Sequence, residues 1–139
     1  MTGTAVVDAS GQVIGRFSSG IAKRLLDGEH IVLVNAEKAL ITGSKEWLTA
    51  EFHHRRDVGS QRKGPFYPRR ADRILHRAIR GMLPYQEPRG RAALKRLRVY
   101  LHLPADLSGG PIERPPAPTI KSAKLMTLEE IAKRLGGAA

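Results

Sequence analysis

Cationic side chains are concentrated in one third of the chain, between Arg55 and Arg98. These residues 55–98, the basic segment, contain 14 Lys or Arg and 3 Asp or Glu, so their net charge of +11 equals that of all 139 residues. Groups of this kind bind phosphate polyanions, because each neutralised phosphate releases condensed counterions. We predict that a nucleic acid contacts every cation of the basic segment: Arg55, Arg56, Arg62, Lys63, Arg69, Arg70, Arg73, Arg77, Arg80, Arg89, Arg91, Lys95, Arg96 and Arg98.

The composition of the basic segment favours RNA as that nucleic acid. Arg outnumbers Lys 12 to 2, and a planar guanidinium can hold a phosphate through two hydrogen bonds or stack on a base. Phe66 and Tyr67 lie among these cations on residues 62–70, the Pro-rich stretch, and aromatic rings in such a setting stack on splayed RNA bases. The same two rings could equally anchor the stretch to the body of the protein, so both interpretations stay open.

The sequence predicts neither a cofactor nor a metal. Gly11, Gly15 and Gly20 surround the first predicted turn, but their spacing fits neither a dinucleotide fingerprint nor a phosphate-binding loop. The adjacent His53 and His54 have no acidic or Cys partner at ligand spacing, and neighbouring side chains diverge on a helix or a strand. We therefore predict that both histidines face RNA or solvent.

Catalytic chemistry is not predicted either. Asp8, His54 and His76 are the candidate side chains of a small-ligand α/β enzyme, but they fall in separate predicted elements and form no recognisable catalytic set. We predict that the chain is not an enzyme.

Length and composition indicate a single domain over residues 1–139. The chain is 41% apolar and has no Cys, so it can bury one core and needs no disulfide. No signal-peptide pattern is present at its start, and no apolar run approaches the roughly 18 residues that span a bilayer. We expect a soluble, cytoplasmic protein.

The elements that position the cations begin with a strand, a helix and a second strand. Residues 5–9 and 31–34 are short apolar runs rich in β-branched side chains. Between them, apolar residues at three- and four-residue spacing predict a helix over 14–27, capped by Gly28. A third short strand is predicted over 39–41. Thr42-Gly43-Ser44 then provides a turn and a cap for a helix over 45–52 that places Trp47 and Leu48 in the core.

Two helices with basic stripes are predicted within the basic segment. The first, over 71–82, has arginines beside an apolar face made of Ile74, Leu75, Ala78, Ile79 and Met82. The second, over 89–97, directs Ala93, Leu94 and Leu97 inward. A strand is predicted over 99–103, then an irregular Pro- and Gly-rich arm over 104–118, and finally a helix that starts at a Thr127–Glu130 capping box.

Several motifs carry a resemblance to a known family. They are Asp8-Ala9-Ser10-Gly11 with Gly15-Arg16, Val34-Asn35-Ala36-Glu37, Thr42-Gly43, Gly64-Pro65-Phe66, Arg80-Gly81-Met82-Leu83-Pro84, and Gly90-Arg91-Ala92-Ala93-Leu94 to Val99-Tyr100. Together they cover most of the chain, which resembles the large-subunit ribosomal protein thirteen family of the archaeal and eukaryotic type. The resemblance implies a three-layer α/β/α fold around a four-stranded, mainly parallel sheet. It also implies a structural role in the ribosome, bound to large-subunit ribosomal RNA and to neighbouring ribosomal proteins.

Two other functions remain as alternatives to this role. One is a free RNA-binding regulator, which the charge alone permits. The other is the small-ligand α/β enzyme considered above, for which the sequence has no convergent catalytic set.

Overall fold

The amino-terminal elements form the predicted β-α-β unit. The structure, a computed structural model, describes residues 4–60, 62–116, 118–120 and 124–137. Its first elements are β1 (Thr4–Asp8), α1 (Ile14–Leu26) and β2 (His30–Val34). β1 and β2 pair in parallel along their whole length. α1 forms because its apolar stripe is buried against them, through Phe17, Ile21 and Leu25.

A third strand completes the parallel sheet on the other side of β2. This strand is β4 (Leu97–Val99), and Ile31 and Leu33 of β2 lie opposite Leu97 and Val99. Ile31 and Leu33 are fully buried, so β2 is the centre of the core. The sheet therefore has the order β1–β2–β4 and three strands, where four were expected.

The predicted boundaries of β4 are wrong. The strand begins at Leu97, which was assigned to the preceding helix, and ends at Val99. It ends there because the chain turns at His102, which has a φ of +53°. The His102 carbonyl accepts a hydrogen bond from Asn35 N at 3.2 Å, and its N–H donates to the buried carboxylate of Glu37 at 3.0 Å. These hydrogen bonds replace the strand predicted over 99–103.

The third predicted strand exists, but it belongs to a second sheet. β3 (Leu40–Thr42) pairs antiparallel with β5 (Leu125–Thr127), a strand that the sequence did not predict. β5 leads directly into α5 (Leu128–Arg134), where the Thr127 hydroxyl accepts a hydrogen bond from Glu130 N at 3.3 Å. The predicted cap of the last helix is confirmed.

Helix α2 (Lys45–Asp57) starts at the predicted cap and runs further than expected. The Ser44 hydroxyl accepts a hydrogen bond from Trp47 N at 3.2 Å. Leu48 and Phe52, four residues apart on one face, are buried, whereas Trp47 is 60% exposed. The prediction that Trp47 enters the core is wrong, because the neighbouring position already supplies the inward face.

The Pro- and Gly-rich arm is irregular except at two places. Residues Ala105–Leu107 form a 3₁₀ turn, and Glu113 pairs in parallel with the outer edge of β1. Glu113 N donates to Val6 O at 2.8 Å, and Asp8 N donates to Glu113 O at 2.9 Å. Across the described ranges, the chain is a mixed α/β fold with five α-helices and a mainly parallel sheet.

None of the described helices has the length and apolar character that crossing a membrane requires.

Candidate nucleic-acid interface

Helix α3 (Ala71–Gly81) buries one face and presents arginines from another, as predicted. Ile74, Leu75 and Ile79 are at most 1% exposed and anchor the helix in the core. The prediction that Met82 also packs inward is wrong. Met82 is 44% exposed because the helix ends at Gly81 and the next residue has left the apolar stripe.

Helix α4 (Pro88–Lys95) is held against the loop that follows α3. Pro88 takes the first helical position, where its missing N–H costs no hydrogen bond. Gly90 is buried, and a Cβ added to it would overlap the backbone carbonyl of Pro84. Ala93 is fully buried and Leu94 is half-buried, so α4 lies flat on the body and directs its cations outward.

We expect Gly90→Ala to destabilise the fold by about 1–3 kcal/mol, because the added methyl group must push α4 away from Pro84. Thermal unfolding of the purified chain measures this loss. The matched control is Gly20→Ala in α1, where a Cβ meets open space and helix propensity should raise the stability slightly. If Gly90→Ala unfolds at the temperature of the wild type, α4 does not lie this close to the loop.

The aromatic pair of the Pro-rich stretch divides into one anchor and one free ring. The Tyr67 ring lies 5.9 Å from the Phe52 ring of α2, in an edge-on geometry. The guanidinium groups of Arg55 and Arg77 each lie 5.8 Å from the Tyr67 ring, a cation–π distance. Phe66 is 68% exposed. Tyr67 therefore anchors the stretch, and Phe66 is the ring that remains available to stack on a base.

Ten of the 14 predicted cations are exposed on the surface of the structure. The other four, Arg56, Arg77, Arg80 and Arg96, are half-buried. The exposed ones come from the end of α2, the Pro-rich stretch, α3, α4 and β4: Arg55, Arg62, Lys63, Arg69, Arg70, Arg73, Arg89, Arg91, Lys95 and Arg98. The fold thus presents most of the predicted charge to a partner.

Carboxylates of the chain occupy some of these cations. Among the described residues, the ion pairs of the basic segment are Arg55–Glu51 at 3.3 Å, Arg56–Asp57 at 2.9 Å, Arg70–Asp72 at 3.3 Å and Arg89–Glu87 at 3.1 Å. Each pair joins residues at most four positions apart and lies near solvent, where water and salt screen it. A phosphate can therefore replace the carboxylate at Arg55, Arg56 and Arg89 at little cost. The Asp72 side chain is only 15% exposed, and its carboxylate also accepts a hydrogen bond from Arg73 N.

Arg96 has a structural contact of its own. Its Nη1 donates a hydrogen bond of 2.6 Å to the carbonyl of Leu25, at the carboxyl end of α1. A cation at that end also complements the helix dipole. The structure thus places the Arg96 guanidinium against α1. The half-buried Arg80 also has a contact within the chain, 4.2 Å from the Tyr85 ring centre.

A cleft of about 340 Å³ lies between α3 and β4. Asp72, Arg73 and His76 of α3 line it together with Leu97, Arg98 and Val99 of β4. Burial lowers the pKa of His76, and the nearby positive charge of Arg73 lowers it further, so the imidazole is neutral at pH 7. Sequence reasoning missed this cleft, since it depends on where β4 begins.

The three side chains considered for catalysis have separate surroundings. Burial alone would raise the pKa of Asp8, but hydrogen bonds from Ser10 and Asn35 lower it overall. Asp8 thus caps the turn after β1, with Ser10 N at 2.9 Å and Asn35 Nδ2 at 3.2 Å. His54 is exposed on α2, and His76 lines the cleft described above.

The paired histidines of α2 diverge, and only His54 is exposed as predicted, whereas His53 is half-buried. The Nε2 atom of His53 lies 3.0 Å from the carbonyl oxygen of Arg134, at the end of α5. Over the ranges that the structure describes, no three His, Asp or Glu side chains gather into a site that could hold a metal.

Comparison with known proteins identifies the family. The model of the family described as ribosomal protein L13 matches residues 3–105, which include the whole basic segment. The chain belongs to the ribosomal protein L13 family. The resemblance found in the sequence motifs is thereby confirmed.

Curated relatives agree with this membership of the L13 family. A protein of Archaeoglobus fulgidus named large ribosomal subunit protein uL13 is 47% identical over 135 residues, which cover 94% of this chain and 86% of the relative. The uL13 protein of Thermoplasma volcanium is 47% identical over 133 residues, or 95% of this chain and 98% of the relative. The uL13 protein of Methanocaldococcus jannaschii is 43% identical over 135 residues, which cover 94% of this chain and 96% of the relative. Members of the L13 family are ribosomal proteins, not enzymes.

Proposed function

We propose that this chain is a structural component of the large ribosomal subunit and binds folded large-subunit ribosomal RNA through its basic segment. Relatives nearly half identical to it carry the name of a large-subunit protein. The observation that supports the mode of binding is the exposure of ten cations on elements whose opposite faces are buried. The place of action is then the ribosome in the cytoplasm.

The physical task of such a surface is to offset repulsion within the RNA. Phosphates of neighbouring RNA helices repel one another, and a rigid array of guanidinium groups between the helices offsets that electrostatic repulsion. α3 and α4 suit this task because their buried faces fix where the cations lie. Of the 14 predicted cations, we propose the ten exposed ones as direct phosphate contacts and Phe66 as the stacking ring. The half-buried ones, among them Arg96 at the end of α1, add positive charge behind them. Neighbouring large-subunit proteins are the other proposed partners.

We also propose that residues 1–139 form one domain with the finer architecture implied by the family. The antiparallel pairing of β3 with β5 joins residues 40–42 to residues 125–127, which supports a single domain. Glu113 lies beside β1 in the position that a fourth parallel strand would take. Leu33 and Val34, on opposite faces of β2, are both fully buried, which supports layers on both sides of the sheet.

Co-sedimentation tests the proposed function. We expect the tagged chain to sediment with large ribosomal subunits and to leave that fraction when the RNA is digested with RNase. A chain that remains in the soluble fraction, or that sediments equally with small subunits, would contradict the proposal.

A further inference from the structure

The cleft between α3 and β4 is concave and is lined by apolar as well as charged residues. Binding of RNA phosphates by the basic segment requires only exposed cations. The cleft's volume of about 340 Å³ lies at the lower end of the range for small-ligand pockets, roughly 300–1,000 Å³. A duplex is too wide to enter such a space, whereas a single unstacked nucleotide can. We infer that this cleft holds one unpaired nucleotide of the ribosomal RNA, an inference that rests on the proposed function.

The backbone of β4 supplies the hydrogen-bonding groups for a base. Ile31 N donates to Arg96 O at 3.0 Å, and Tyr100 N donates to Leu33 O at 2.8 Å. In a parallel ladder with these bonds, residues 96, 98 and 100 of this segment point their backbone groups toward β2. The N–H and C=O of Val99 therefore point away from β2. β4 is an edge strand among the described residues, so this donor and this acceptor lie side by side on the outer edge of β4, beside the cleft that Val99 lines.

The edge of a nucleobase can pair with a hydrogen-bond donor and an acceptor that lie side by side. Bases splayed out of an RNA helix are recognised by hydrogen bonds to their edges, and a strand edge has the spacing to form two of them. Leu97 is 2% exposed and belongs to the core, so the half-buried Val99 provides the apolar surface against which the base can lie.

The side chains around the cleft match the rest of a ribonucleotide. Arg73 and Arg98 are exposed and have no ion pair among the described residues, so they are free to bind its phosphates. The neutral imidazole of His76 can hydrogen-bond a ribose 2′-hydroxyl, the group that distinguishes RNA from DNA. The Asp72 carboxylate is already occupied, since Oδ1 accepts from Arg73 N at 2.9 Å and Oδ2 from Arg70 Nη2 at 3.3 Å.

The charge of the lining favours a nucleotide over a protein side chain. An apolar side chain in the cleft would leave the Arg73 and Arg98 guanidinium groups uncompensated. An acidic peptide would balance them, but its carboxylates would leave the half-buried Val99 side chain uncovered. A nucleotide can bind the cations through its phosphates, the edge of β4 through its base edge, and the Val99 side chain through the face of its base.

Chemical probing of large-subunit ribosomal RNA, with a reagent that acylates unconstrained 2′-hydroxyls, tests this inference. At saturating wild-type chain, we expect strong protection of at least one unpaired nucleotide. With Arg73→Gln/Arg98→Gln, that nucleotide should return to the reactivity of the free RNA. The matched control is Arg91→Gln/Lys95→Gln, two exposed cations of α4 outside the cleft, which should leave the protection intact. Both double variants should flatten the salt dependence of binding by one to two units, since each phosphate contact contributes about 0.7–0.9.

A second variant separates reading of the base from binding of phosphates. Val99→Pro removes the outward N–H without changing charge, and Pro is tolerated where the N–H of an edge strand points to solvent. We expect it to lose the same protected nucleotide while the salt dependence stays that of the wild type. Thermal melting and overall RNA binding establish that each variant is folded.

Three outcomes would overturn the inference. In the first, Arg73→Gln/Arg98→Gln protects every unpaired nucleotide that the wild type protects, while both still bind RNA; the proposed function then survives. In the second, Arg73→Gln/Arg98→Gln and Val99→Pro leave the RNA protection unchanged and weaken only the binding of a ribosomal protein that persists after RNase treatment. An acidic protein would then be the occupant of the cleft. In the third, the wild type fails to bind the RNA at all, and the proposed function fails with the inference.

Discussion

Replacing Ile79 with Ala should lower the free energy of unfolding by about 2–5 kcal/mol. Ile79 is fully buried in the middle of α3, among the side chains that hold this helix on the core. Removing part of its side chain loses the transfer free energy of those atoms and leaves a cavity that close-packed neighbours cannot fill. At roughly 4 °C per kcal/mol for a chain of this size, the melting temperature should fall by about 8–20 °C.

The control for this prediction is Arg73→Gln on the same helix. Arg73 is exposed, and exposed substitutions away from special features usually change stability by less than about 0.5 kcal/mol. Urea unfolding of both variants gives the two free energies under the same conditions. If Arg73→Gln destabilises the chain as much as Ile79→Ala, the buried and RNA-facing sides of α3 have been assigned in reverse.

Elements whose signals are local could be predicted from the sequence. The apolar stripe of α1, the capping serine of α2 and the capping threonine of α5 each lie within a few residues of what they determine. The two helices of the basic segment were found for the same reason, because three- and four-residue spacing gives each one a buried face. The corresponding structural elements agree with these predictions, with boundaries shifted at the ends.

Features that depend on distant partners could not be predicted in this way. β5 is a strand only because β3 lies beside it, and the two are far apart in the chain. β4 was displaced by two residues because hydrogen bonds from Asn35 and to Glu37, remote in sequence, decide where it stops. Trp47 is apolar, but its position relative to Leu48 on α2 leaves it outside the core.

The candidate interface also has features that the local sequence predicts and features that depend on distant residues. Charge density located the segment that carries the exposed cations, since charge is a property of the sequence itself. It could not distinguish Arg96, which is bonded to the end of α1, from Arg98, which lines the cleft two residues later. The part played by His76 depends on the packing of β4 against α3, so no local signal could have placed it.

Removing three exposed cations from the basic segment should weaken RNA binding strongly at low salt and much less at high salt. If about 6–10 cations of this segment meet phosphates, the logarithm of the binding constant should fall with the logarithm of salt concentration at a slope of about −4 to −9. Removal of one phosphate-binding cation should flatten that slope by about 0.7–0.9. The triple variant Lys63→Gln/Arg91→Gln/Lys95→Gln should therefore flatten it by roughly two to three units. All three side chains are exposed and have no ion pair among the described residues.

The chain offers a control of equal charge and composition outside the basic segment. Arg16, Lys23 and Lys38 are also exposed, and no ion pair within the described ranges holds them. The triple variant Arg16→Gln/Lys23→Gln/Lys38→Gln removes the same net charge, so any general effect of charge on association should be the same in both variants.

The salt slope of these two variants, measured by titration with large-subunit ribosomal RNA, tests most directly whether the basic segment is the RNA-binding surface. We predict flattening by roughly two to three units for the variant within the basic segment and a slope close to that of the wild type for the control. Equal flattening by both variants would contradict the assignment of this surface, because diffuse net charge, and not the placement of the cations on α3, α4 and the Pro-rich stretch, would then explain binding.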